Sequence, residues 1–338
     1  MRITGFVIRI IKQLFRDKRT LALMFLAPVL ILTMMWVIFD SDPYDPAIGI
    51  SAENEEVLKA LDSNDFVHFD NTEQAEESIE TGEIDGYLSI EQGNPPLLVL
   101  EGSDPSINQM VMKEVQSLFT QQTETPNLDI ELLHGEKGMG MFDSFGPVLL
   151  GFFIFFFVFL ISGVSFLRER TSGTLERLLA SPLKIWEMVI SYVLGFGIFA
   201  VLQAAFISWF AIYVLDMMME GSFLNVLIII ALLSLTALTL GILLSAFAQN
   251  ELQMMQFIPI VVIPQIFFSG LFNLETITDW LSWIGPFTPL YYAADALRDV
   301  MIRGAAFSDI TGNLSFLLGF SLLFIVLNVA ALRKYRKI

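Results

Sequence analysis

The sequence predicts an α-helical polytopic membrane protein with six transmembrane helices and a small α/β extracytoplasmic domain. Three observations lead there. First, 54% of the 338 residues are hydrophobic, 31 are Phe, and only 16% are charged; soluble domains carry about 25% charge. Second, the apolar residues come in blocks, most long enough to cross roughly 30 Å of hydrocarbon. Third, the net charge of −17 is unevenly spread. Residues 1–20 hold six basic residues against one acid, residues 41–143 hold three against 23, and 333–338 hold four basic residues. Such asymmetry assigns the segments to different compartments.

Residues 1–20 read as a basic amphipathic helix for a membrane interface. Ile3, Phe6, Val7, Ile10, Ile11, Leu14 and Phe15 recur at helical spacing, while Arg2, Arg9, Lys12 and Arg16 fall largely elsewhere. The block 21–39 follows as a first span. It exceeds a signal-peptide core and no A-x-A cleavage site follows it.

Residues 40–143 change character and read as an acidic α/β domain. Strands are expected at 47–51, 66–70, 84–90 and 96–102, and helices at 54–61, 72–83 and 105–119, with a return linker over 120–143. Residues 144–338 carry five more blocks: Phe145–Leu167, Trp186–Leu215, Phe223–Ala248, Phe257–Phe272 and Leu314–Leu332. The positive-inside rule puts the basic first segment, the loop with Arg168, Arg170, Arg177 and Lys184, and the RKYRK tail in the cytoplasm. Six spans give both termini that side, and the acidic domain the other.

Several chemistries are excluded or unsupported. Without cysteine there are no disulfides, thiol nucleophiles or Cys-ligated metals. His68 and His134 lie 66 residues apart with no metal-ligand spacing, so no metal site or cofactor is expected. No D-x-D-x-D calcium loop, hydrolase triad or basic nucleic-acid motif is present. The span interiors lack the Asp, Glu or His of a proton relay. Gln203, Ser208, Thr236, Thr239, Gln265 and Asn328 read as interhelical hydrogen-bond partners. No G-x-x-x-x-G-K-[ST] phosphate loop occurs, so ATP would be bound by a partner.

The segment 168–187, RERTSGTLERLLASPLKIWE, is the one long polar insertion between spans. Thr174, Leu175, Leu178 and Leu179 form an apolar stripe. Glu169, Arg170, Glu176 and Arg177 surround it, and Gly173 and Pro182 mark a turn and a stop. Periodicity leaves two readings open, a docking knob for another protein or an interfacial helix anchoring two spans.

This string resembles the cytoplasmic signature R-E-x-x-x-G-T-L-E-x-L-L-x-x-P of ABC transporter permeases of the type 2, or drug-exporter, class. Matching positions are Arg168 or Arg170, Glu169, Gly173, Thr174, Leu175, Glu176, Leu178, Leu179 and Pro182. FRDKRTLALMFLAPVL (15–30) is similar to that family's entry into its first span. Residues 267–304, with Pro289, Tyr292 and Arg298, resemble the stretch before its last. The order of elements matches the branch with a large extracytoplasmic domain.

The resemblance implies a permease subunit that pairs with a second permease, identical or similar, and with ABC ATPase subunits. Residues 168–187 would be the coupling helix. The cargo would be a hydrophobic drug, a lipid-like or peptide compound, or sodium, and the location a bacterial cell membrane. Residues 273–304, aromatic and broken by Pro286 and Pro289, are expected as short re-entrant helices. By resemblance they cap the pathway, which makes Trp283, Phe287, Pro289 and Tyr292 outer gate candidates. The run FFIFFFVF (152–159) faces lipid or lines a path for a greasy compound. The rival from another class is a membrane-anchored sensor whose external domain binds a ligand.

Overall fold

The computed structural model describes residues 2–39, 46–52, 66–69, 72–90, 96–100, 105–121, 141–180, 183–271 and 283–335. The chain divides into two compact units, Met1–Asp40 with Leu132–Ile338, and Ser41–Glu131.

The smaller unit is a four-stranded mixed sheet. Its strands are β1 (Ile48–Ala52), β2 (Val67–His68), β3 (Gly86–Ile90) and β4 (Leu97–Leu100), in the order β2-β1-β3-β4. β1 runs parallel to β2 and β3, and β4 antiparallel to β3. The period-2 alternation of strand side chains gives the sheet two apolar faces. Ile48, Ile50 and Leu88 point at Val111 and Val115 of α4 (Pro105–Gln121). Tyr87 belongs to the other face, with Ala75 and Ile79 of α3 (Thr72–Glu80) and with Ile84. Gly49 is needed on that face, since a Cβ there would sit 2.8 Å from Ile84 Cδ1. The helix expected at 54–61 and most of the linker over 120–143 lie outside the described residues.

The larger unit contains α1 (Arg2–Arg16), α2 (Lys18–Phe39), α5 (Met141–Thr171), α6 (Thr174–Leu179), α7 (Ile185–Tyr213) and α8 (Phe223–Ser245). They are followed by a broken helix α9 (Glu251–Leu271), α10 (Pro289–Met301) and α11 (Thr311–Tyr335). Six of these, α2, α5, α7, α8, α9 and α11, are long and apolar enough to cross a membrane. α5, α7 and α8 are the most buried, whereas α2, α9 and α11 leave most of their surface open.

Small residues let the central helices approach. Gly163 of α5 and Gly241 of α8 face each other so closely that a Cβ on Gly163 would lie 3.2 Å from the Gly241 carbonyl oxygen. A Cβ on Gly241 would lie 2.5 Å from the Phe159 carbonyl oxygen and meet the Ser162 hydroxyl. Hydroxyls at the contact bond within their own helices: Ser162 donates to the Phe159 carbonyl at 3.0 Å and Ser245 to Ile242 at 2.7 Å.

Other polar residues cross between helices. Thr236 and Ser321 hydroxyls meet at 2.7 Å, linking α8 to α11, and Asn328 Nδ2 donates to the Thr239 carbonyl at 2.8 Å. Gln203 and Ser208 do not behave as the sequence suggests. Both are fully buried in α7, as Ser234 is in α8, and the side-chain polar atoms of all three lack a hydrogen-bond partner among the described residues. Pairing requires a second helix to present a matching group, which is a property of register and not of composition.

The fifth apolar block also departs from a plain helix. α9 alternates α-helical turns (Glu251–Met255, Ile263–Ile266) with π-helical turns (Ile258–Val262, Phe267–Leu271). Pro259 and Pro264 each lack the N–H a regular turn would use; Pro259 stands in the first π-helical turn and Pro264 opens the α-helical turn that follows it. Gly270 adopts φ +79°, a left-handed conformation near the end of the helix.

Substituting Gly241→Ala should therefore force α5 and α8 apart. Overpacking of this kind costs about 1–3 kcal/mol. Thermal unfolding of the detergent-solubilised chain is expected to occur at a lower temperature than for the parent, with a still larger drop for Gly241→Val.

Candidate functional site

The site is built where α5 ends. The helix runs through Arg168-Glu169-Arg170 and stops at Thr171. Gly173, at φ +73° with open space around its Cα, turns the chain without a steric reason for glycine, so the requirement is conformational. α6 then occupies only Thr174–Leu179, inside the broader segment 168–187. The flanking residues belong to the spans: 168–171 complete α5, and 185–187 begin α7. Ser172 and Thr174 hydroxyls lie 3.0 Å apart across the turn. Beyond α6, the Glu187 carboxylate accepts the Lys184 backbone N–H at 2.8 Å and caps α7. Pro182 lies outside the described residues.

The two faces of α6 differ. Leu175 is 1% exposed, and Leu178 and Leu179 pack half-buried on the same core. Glu176 and Arg177 are exposed. The leucine stripe is thus spent on the chain's own bundle, and the charged pair is what α6 offers outward.

The three residues preceding the turn each engage different segments. Arg168 Nε donates to Glu251 Oε1 at 2.7 Å, at the start of α9, and Arg168 Nη1 lies 4.0 Å from Asp17 between α1 and α2. Arg170 donates to the carbonyls of Ala246, at 2.6 Å, and Ala248, at the end of α8. The guanidinium thus meets carbonyls that follow the last turn of α8. Glu169 points inward. Its side chain is 3% exposed, and Arg9 Nη2 of α1 donates to both carboxylate oxygens, at 2.9 and 3.1 Å. The Tyr192 hydroxyl of α7 adds a longer contact at 3.4 Å.

Aromatic rings enclose this pair. Arg9 sits over the Phe6 ring at 5.4 Å, and the edges of Phe6 and Phe166 meet Tyr192 at 5.0 and 4.9 Å. Phe6, Ile10 and Leu14, at i, i+4 and i+8, are buried, and Ile10 packs where Gly195 of α7 leaves room. The apolar stripe of α1 is thus largely used on protein. Periodicity exposed the stripe but not what covers it.

An apolar cavity of about 290 Å³ lies among α2, α5 and α9. Leu23, Ala27, Phe157, Leu160, Val164 and Met255 line it, together with the Arg168–Glu251 pair. Of the phenylalanine run 152–159, only Phe157 borders this space. Phe155 and Phe159 are buried in the core, and Phe152, Phe153 and Phe156 pack half-buried against it.

At the other end of α9 the gate candidates separate into two kinds. Trp283 and Phe287 are exposed and stack edge-on at 5.7 Å. Pro289 and Tyr292 are buried. Tyr292 stacks on Phe316 of α11 at 4.3 Å and donates its hydroxyl to the Pro286 carbonyl at 3.0 Å. Gln265 accepts the Leu290 N–H at 3.3 Å in the first turn of α10, and Arg298 donates to the Gly270 carbonyl. Residues 272–282 lie outside the described residues.

Comparison with known proteins bears on this arrangement. Residues 18–330 match the family model described as ABC-2 family transporter protein. The chain is 24% identical over 253 residues to ABC transporter G family member 20 of Dictyostelium discoideum, covering 74% of this chain and 34% of that protein. It is 20% identical to the probable multidrug ABC transporter permease YbhS of Escherichia coli, covering 96% of this chain and 94% of that one. It is also 26% identical over 186 residues to the linearmycin resistance permease protein LnrN of Bacillus subtilis, with 54% and 48% covered. The chain thus spans only about a third of the Dictyostelium relative's length. Six apolar helices and a family match running from the start of α2 to near the end of α11 agree, and the chain belongs to the ABC-2 family of transporter membrane proteins.

Proposed function

We propose that the chain is the membrane-spanning permease subunit of an ATP-driven exporter, powered by a separate ABC ATPase that docks on α6. The observation that carries this reading is the division of α6. Its leucines are fixed to the spans, so a force on the helix reaches the bundle, while Glu176 and Arg177 remain outward for a partner. The chain has no phosphate-binding loop of its own, in keeping with a partner that hydrolyses ATP.

In this reading the α6 end faces the cytoplasm, as do both termini of the chain. The acidic unit Ser41–Glu131 lies outside, beyond an interfacial α1 and a first span 21–39. A second permease subunit completes the pathway. Its contact surface would come from the open faces of α2, α9 and α11. Trp283, Phe287, Pro289 and Tyr292 would form the outer gate, with the exposed first pair free to move and the buried second pair as its footing. The cargo is a hydrophobic drug, lipid-like or peptide compound. The apolar cavity beside α5 and the multidrug and linearmycin-resistance names of two relatives support that class.

Two experiments test the reading. A tagged chain purified in mild detergent from its native membrane should carry a cassette ATPase. The exchange Glu176→Arg with Arg177→Glu should lose that partner without loss of the inserted permease, because both side chains are exposed. Equal recovery of the ATPase by the double variant would overturn the docking assignment. The natural absence of cysteine makes topology directly measurable. An impermeant maleimide on intact cells should label Glu83→Cys in the acidic unit and spare Glu176→Cys until the membrane is opened. The reverse pattern would invert the orientation.

A further inference from the structure

Resting on the coupling role of α6, we infer that Arg9 is a positioning residue for the coupling segment: through Glu169 it fixes the last turn of α5, from which α6 hangs.

The apolar contact between α1 and α7 cannot do this alone. Burial of Phe6, Ile10 and Leu14 is non-directional as a driving force, and the close fit of Ile10 at Gly195 keys α1 to α7 but not to α5. An ion pair to a buried carboxylate is directional. Arg9 grips both oxygens of a carboxylate that is 3% exposed, and the Phe6, Tyr192 and Phe166 rings enclose it. Two residues 160 positions apart in the chain are thereby held in one register. An exposed carboxylate at position 169 would have served docking. The buried one has no surface to offer a partner, so its charge acts inside the chain.

The neighbours of Glu169 extend the effect. Arg168 ties the same helical turn to Glu251 of α9, and Arg170 ties it to the end of α8. Tyr192 adds α7. A displacement of α6 therefore acts on one turn to which α1, α7, α8 and α9 are all bonded. Loss of Arg9 leaves α6 with its docking face intact but with a loosened seat.

The test is a distance measurement on the full chain in lipid nanodiscs. Spin labels go on Lys12→Cys of α1 and Arg177→Cys of α6, both exposed positions in a chain with no native cysteine. A single narrow distance distribution is expected for the parent. Arg9→Gln and Glu169→Gln should each broaden it, and the exchange Arg9→Glu with Glu169→Arg should restore it. Arg9→Gln is the safer probe, because that side chain is 36% exposed and the helix keeps its apolar stripe. An unchanged distribution in Arg9→Gln would overturn the inference, as would a swap that fails to restore the peak lost in both single variants. Alongside its ATPase, the Arg9→Gln chain should still co-purify the partner yet lose transport. Normal transport despite a broadened distribution would also refute a positioning role. The distance readout needs no ATPase, so failure of docking at Glu176 and Arg177 and failure of this latch are separate results.

Discussion

In hydrocarbon, an apolar helix surface gains little from meeting another helix, because lipid tails are as apolar as leucine. A bundle must be held instead by close packing and by polar bonds across helices, and both are costly to arrange. The contact of α5 with α8 at Gly163 and Gly241 supplies the first. Glycine on both sides brings backbone to backbone, and the neighbouring hydroxyls are satisfied inside their own helices, leaving nothing polar to push the pair apart. The other spans are arranged around that contact. α11 joins it through Thr236–Ser321 and Asn328–Thr239, and α10 packs onto Gly151 of α5 through Leu290 and Leu297.

Charge is used sparingly and at the helix ends. Within eight residues the chain places two glutamates in opposite roles. Glu169 is buried against Arg9, while Glu176 is exposed on α6. Removing one partner of a fully buried pair typically costs about 3–5 kcal/mol, and less where one partner is part-exposed as Arg9 is, whereas an exposed charge contributes about 1 kcal/mol or less to stability. The first therefore serves the architecture, and the second is available for recognition at small cost to the fold.

The six spans were legible in the sequence because length and hydropathy are local properties, and Gly173 and the leucine spacing marked α6 for the same reason. The direction in which a side chain faces was not. Glu169, Arg170 and Leu175 sit in a motif that looks outward as a string, yet their partners, at 9, 246 and in the core, are fixed only by how the spans assemble. The α1 stripe was visible, but its cover on α7 depended on Gly195, a residue with no signal of its own. The break in α9 had a sequence cause in Pro259 and Pro264, hidden inside a block whose composition alone read as a plain span.

That break is also where polar bonding is most demanding. Backbone groups released by π-helical turns and by the left-handed Gly270 cannot turn to water, so they or their neighbours must be met by protein. Gln265 meets its own chain by donating to Val261 and reaches α10 by accepting from Leu290. Arg298 returns from α10 to the Gly270 carbonyl. A regular helix would need neither residue, and would also be stiffer. Two side chains thus hold a segment that is intrinsically easier to bend than its neighbours, along the open side of the bundle. In the unbroken helices α7 and α8, by contrast, the buried side chains of Gln203, Ser208 and Ser234 have no hydrogen-bond partner among the described residues. Gln265 and Arg298 are thus the side chains that tie the irregular part of α9 to α10.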